Sequence, residues 1–127
     1  MNLPAPALDP AEKKLFDQGL EEFNTGFYFE CHETLEDLWH GVRGPSRDFF
    51  QGLIQLSVAF YHLTRGNAGG AKSMLDRALG RLNKYPPDYA GVDLEGLRKE
   101  ASSVRARLLG GEEIPAHESF PRCRRTG

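Results

Sequence analysis

A chain of 127 residues, 39% hydrophobic and 27% charged, has room for one packed core and not for two ordinary domains. With 16 Lys and Arg against 18 Asp and Glu, it carries no overall positive field for a phosphate backbone or an anionic lipid surface, so neither nucleic acid nor membrane is an expected partner. A mean hydropathy of −0.50, two cysteines in no disulfide framework, and a start (MNLPAPALD) with neither basic residues nor an apolar stretch lead to the expectation of a cytoplasmic protein with reduced thiols.

The periodicity predicts an all-α chain. A first helix should open at Asp9-Pro10, an N-cap followed by proline at the first helical position, with Glu12 placed to close a capping box. Leu15, Phe16, Leu20 and Phe23 give it an apolar stripe, and Gly26 should end it. A second helix over residues 28–42 carries Cys31, Leu35, Leu38, Trp39 and Val42 on one face. After Gly44-Pro45, Ser46 is the expected cap of a third helix. Its Phe49, Phe50, Leu53, Ile54, Leu56, Val58, Phe60, Tyr61 and Leu63 are apolar around most of the circumference, as in a buried central helix. Beyond the Gly66-Asn67 turn, Ala71, Met74, Leu75, Ala78, Leu82 and Tyr85 line one side of a fourth helix, while Lys72, Arg77, Arg81 and Lys84 face elsewhere. Pro86-Pro87 stops it. Asp93 should cap a fifth helix with Leu94, Leu97, Ala101, Val104 and Leu108 at core spacing, ended by Gly110-Gly111. No segment reads as a convincing strand. The expected architecture is one domain of about five helices over residues 1–111, built of antiparallel hairpins. Residues 112–127, poor in apolar side chains, should form an extended or disordered tail.

Polar residues interrupt two of these apolar patterns. In the third helix Gln51, Gln55 and His62 fall within about 40° of one another, at about 100° per residue. A polar stripe on an otherwise apolar helix must find partners, because each unmet buried group costs about 1–3 kcal/mol. The second helix offers Glu30, His32, Glu33 and Glu36, with His32 and Glu36 one turn apart. If the second and third helices are antiparallel neighbours, the stripes could meet. Imidazole and carboxylate at i and i+4, completed by an imidazole from a facing helix, is a divalent-metal geometry, with His32, Glu36 and His62 as ligands. The zincin pattern His-Glu-x-x-His is not present, since Glu36 stands where its second histidine would be. The same residues also suit a hydrogen-bond network that does no more than fix the register of two helices.

Other patterns carry less. Residues 66–73 approach a Walker A loop, but a helix precedes them where a phosphate-binding loop needs a strand. Cys31 and His32 are adjacent on a helix and point about 100° apart, so they make no nucleophile–base pair. Residues 1–67 hold five basic and ten acidic residues, and residues 68–127 hold eleven and eight. That imbalance suits acidic early helices packed on basic neighbours.

From Phe23 to Leu82 the chain resembles the all-helical family catalogued as domain of unknown function 309. The matching residues include Phe23-Asn24, Phe29-Glu30, His32-Glu33, Leu35-Glu36, Trp39, Gly52-Leu53-Ile54-Gln55, His62 and Gly66-Asn67. The resemblance implies a compact helical domain without implying a reaction, and its polar matches are Glu30, His32, Glu33, Glu36, Gln55 and His62. A looser similarity to one tetratricopeptide hairpin covers residues 61–86 through Gly66-Asn67, Ala71, Leu75 and Ala78. Two functions follow as expectations. One is a divalent-metal or small-ligand site, with Glu33 or Glu30 as the acid–base group of a hydrolytic use. The other is a non-catalytic helical module for a peptide partner or a second copy, in which the same residues are scaffold.

Overall fold

The computed structural model describes residues 3–115 and 120–126. Five helices succeed one another as α1 (Pro10–Asn24), α2 (Tyr28–Gly41), α3 (Arg47–Thr64), α4 (Ala68–Leu82) and α5 (Leu94–Leu109). Each packs on the next, most extensively α3 on α4. The expected all-α domain of helical hairpins around a central third helix is therefore what forms.

The helix ends follow from the sequence chemistry. Glu12 N–H donates to Asp9 Oδ1 at 2.8 Å and Asp9 N–H to Glu12 Oε1 at 3.1 Å, a closed capping box beneath the first turn of α1. Asn67 accepts from Gly70 N–H at 2.9 Å to start α4, and Asp93 accepts from Gly96 N–H at 3.0 Å to start α5. Ser46 departs from expectation. It is buried with a helical backbone and makes no side-chain cap, because Gly44, at φ +86°, turns the chain so that Arg47 N–H bonds to the Gly44 carbonyl.

The core takes Phe16, Leu20 and Phe23 from α1 and Cys31, Leu35 and Leu38 from α2. From α3 come Phe49, Phe50, Leu53, Leu56 and Phe60, joined by Leu75 and Leu82 of α4 and Leu97 of α5. Close helix approach depends on glycine at two places. A Cβ on Gly52 would sit 2.8 Å from Leu82 Cδ2, and one on Gly19 would sit 2.6 Å from Leu35 Cδ2.

Two details go beyond the periodicity. A minimal hairpin, β1 (Asp88–Tyr89) and β2 (Val92–Asp93), turns on Ala90 and Gly91 at φ 54° and 72°. Strands of two residues leave no alternation to read. The tail is extended where described, and it is docked. Val92 bridges Arg125, Asp93 N–H bonds to the Arg124 carbonyl at 2.8 Å, and Thr126 N–H bonds to the Gly91 carbonyl at 3.0 Å. Asn24 clamps Cys123, accepting from its N–H at 2.7 Å and donating to its carbonyl at 3.0 Å. Phe120 packs on Tyr28 and Phe60 with ring centroids 6.0 and 5.1 Å away. The expectation of an extended or disordered tail rested on the tail's own composition, whereas the partners that its described residues meet lie on α1, α2, α3 and β2. The parts of that expectation at residues 116–119 and 127 lie outside the described residues.

Candidate functional site

The two polar stripes find different partners. On α2, His32 Nε2 lies 2.6 Å from Glu36 Oε2, a pair along one helix in which both side chains are accessible, 28% and 42%. Glu30 and Glu33 are exposed. Phe29 lies against the His32 ring at 5.6 Å and against Tyr61 of α3 at 5.4 Å. On α3 the stripe is answered by α4 and the turn leading into it. Gln55, 8% exposed, accepts from Arg81 Nε–H at 3.1 Å, and His62 Nδ1 lies 3.2 Å from Asn67 Nδ2. Gln51 is half-buried beside Arg81 and Lys84. Among the described residues no three His, Cys, Asp or Glu side chains gather where they could hold a metal ion, so His32, Glu36 and His62 are not brought together. The reason is geometric. α3 lies between α2 and α4, and a guanidinium on α4 reaches Gln55 while His32 is taken by its own helical neighbour.

The polar groups that do converge centre on Asp48, in the first turn of α3. Its carboxylate is clasped by Arg81 and Lys84 from the last turns of α4 and the residues after it. Partial burial opposes ionisation of Asp48. The hydrogen bond from Lys84 and the charge of Arg81 outweigh it, so the carboxyl is held below its ordinary value. Beside this clasp opens a cleft of about 810 Å³ between the end of α2, the start of α3 and the end of α4. Trp39, Pro45 and Tyr85 contribute apolar lining, and Gln51, Asp48, Arg81 and Lys84 polar lining. The guanidinium of Arg47 stacks on the Trp39 ring 3.8 Å from its centroid, and its Nη1 donates to the carbonyls of Trp39 at 2.9 Å and Val42 at 2.8 Å. Tyr85 ties the residues just after α4 to those just before α3 by donating to the Pro45 carbonyl at 2.5 Å. A second cleft, of about 530 Å³, shares Asp48, Arg81 and Lys84 and adds Gln55, Asp76 and Arg77.

Sequence reading pointed to Gln51 and Gln55 and passed over Arg47, Asp48, Arg81 and Lys84. The usable signal was an acidic residue opening the helix that carries the stripe and two cations at and just beyond the end of the next one. Both cysteines are free thiols buried in the core. Burial pushes the Cys31 thiol up to about 12, with the nearby Glu22 adding to it, and burial raises Cys123 as well.

The family model described as Domain of unknown function (DUF309) matches residues 16–74. They run from the middle of α1 to the middle of α4 and include Trp39, Asp48, Gln51 and Gln55, but neither Arg81 nor Lys84. The chain is 40% identical over 111 residues to the uncharacterized protein YpuF of Bacillus subtilis (strain 168), a match covering 85% of this chain and 62% of that one. It is 26% identical over 104 residues to an uncharacterized protein of Aquifex aeolicus (strain VF5), covering 81% of this chain and 30% of the relative. The chain thus spans less than two thirds of either relative's length. No helix among the described residues is long and apolar enough to cross a membrane.

Proposed function

We propose that this protein binds a small organic molecule in the cleft at the junction of α2, α3 and α4. One observation carries the reading. A space of about 810 Å³ is lined both by apolar and aromatic side chains, Trp39, Pro45 and Tyr85 among them, and by the polar groups of Gln51, Asp48, Arg81 and Lys84. Small-ligand sites occupy roughly 300–1,000 Å³ and pair apolar lining with a few convergent polar groups. Gln51 meets the ligand directly in this reading, and Gln55 acts through Arg81 by holding its Nε–H. The small-ligand expectation is thereby kept and moved from the α2–α3 face to the α3–α4 face. His32, Glu36 and His62 as a divalent-metal site would need a rearrangement that brings His62 away from Asn67, and no step of this reading uses a metal.

Trp39 is the only tryptophan, so its emission reports on the cleft. Titration with benzyl alcohol as a neutral aromatic probe should give a saturable change in that emission and move the Trp39 indole N–H signal in an NMR spectrum. A probe that moves neither signal at millimolar concentration refutes the reading.

A second reading, the protein-interaction module, is favoured by one specific feature. Phe27 and Phe29 are 56% and 46% exposed at the start of α2, on the far end of the helix from the cleft. Sedimentation at rising protein concentration, comparing the wild type with Phe29→Ser, tests whether a second copy covers them.

A further inference from the structure

We propose that the cleft recognises an oxyanion of the phosphate type, and that the Asp48 carboxylate is its built-in competitor, occupying the cations that the ligand would take. This rests on the cleft being the binding site. Four charged side chains line it, the cations Arg47, Arg81 and Lys84 against the single anion Asp48. That local excess of positive charge stands in a chain whose formal net charge is −2. In a site that only held a structural ion pair, one cation would suffice for one carboxylate. Here two converge on Asp48 and a third is fixed nearby.

The cations are arranged so that an exchange costs little. The side chains of Arg81 and Lys84 are 39% and 57% accessible, so an incoming anion can reach them. Gln55 holds Arg81 by its Nε–H, so the plane of the guanidinium stays set when Nη1 releases Asp48. Arg47 is pinned by two backbone carbonyls and by the Trp39 ring, which leaves its charge in place without an acidic partner among the cleft residues. A phosphate ester entering with its organic part against Trp39 and Tyr85 would meet Arg81 and Lys84 at its oxyanion. The displaced Asp48 carboxylate would turn to solvent, and no bond is made or broken in the exchange.

The experiment is a titration of the wild type, Asp48→Asn and Arg81→Gln with phenyl phosphate, inorganic phosphate and benzyl alcohol, read by Trp39 emission and calorimetry. Phenyl phosphate should bind the wild type saturably, bind Asp48→Asn roughly tenfold more tightly because a like charge has been removed, and lose most of its affinity for Arg81→Gln. An affinity in folded Asp48→Asn equal to or weaker than the wild type overturns the competitor role. Failure of phenyl phosphate to bind either protein overturns the oxyanion. In that case benzyl alcohol decides the rest, since its binding leaves the cleft standing and its failure removes both readings. Inorganic phosphate that binds as tightly as phenyl phosphate supports the oxyanion and counts against a role for the apolar lining. Should Asp48→Asn not fold, the Arg81 Nε–Hε signal of the wild type replaces it. That signal should move with phenyl phosphate, and a stationary signal overturns the proposal.

Discussion

Replacing Asp48 by Asn should destabilise the protein at neutral pH by about 1 kcal/mol, rising to about 2 kcal/mol if the three charges act as a network. The structure sets that scale. Asp48 is 28% accessible, Arg81 39% and Lys84 57%, so each pair is worth only about 0.2–1 kcal/mol after solvent screening, and two pairs are lost together. The pH dependence has a definite sign. Asp48 is held below its ordinary value in the folded state, so its stabilisation is fully present above the unfolded value of about 3.9 and is lost as pH falls through the lower folded value. Urea unfolding should therefore show a gap between wild type and Asp48→Asn that is constant from about pH 5 to 8 and closes in more acid solution. At about 1 M salt, where the screening length is near 3 Å, the gap should also narrow. No gap at pH 7, or one that persists unchanged below pH 3, would show that the clasp contributes nothing electrostatic to the fold.

Three further measurements test the rest of the architecture. Phe120→Ala should cost about 1.5–3 kcal/mol in urea unfolding, less than for a fully buried aromatic, because its ring is half-buried against Tyr28 and Phe60; a cost near zero would mean that the tail does not dock. His62→Leu and Glu36→Leu should be additive within about 0.5 kcal/mol, and added zinc or manganese should shift neither, since His62 lies beside Asn67 and Glu36 beside His32; a larger coupling would bring the two stripes together after all. Cys31 and Cys123, both buried with thiols raised by that burial, should resist a disulfide reagent at pH 8 in the native protein and react in urea; rapid labelling of either would place it at the surface.

Much of the fold was legible because it depends on short-range chemistry. Asp9 with Glu12, Asn67 and Asp93 each bond to a backbone N–H within three residues, so a window of four residues contains the whole interaction. The helical stripes need a window of about ten. The docked tail needs a residue 99 positions away, since Asn24 is the side chain that clamps Cys123. Nothing in residues 112–127 taken alone announces that clamp. A composition too weak to fold unaided is still enough to dock once Tyr28, Phe60 and the edge of β2 are in place.

The candidate site was half legible, for a related reason. Periodicity shows that Gln51, Gln55 and His62 share a face of α3, but it gives an angle about the helix axis and not the identity of the neighbour standing at that angle. For a helix flanked on both sides, two neighbours compete for the same polar face. Charge could have decided between them. An amide oxygen such as that of Gln55 gains most from a cationic donor, and α2 offers mainly carboxylates along its polar side while Arg81 stands in the last turn of α4 and Lys84 just after it. Asp48 escaped notice because an acidic residue in a first helical turn is already explained by the helix dipole. Its second role appears only when the cations at and just beyond the end of α4 are set beside it. That placement is what turns an ordinary helix start into the carboxylate that a ligand anion would have to displace.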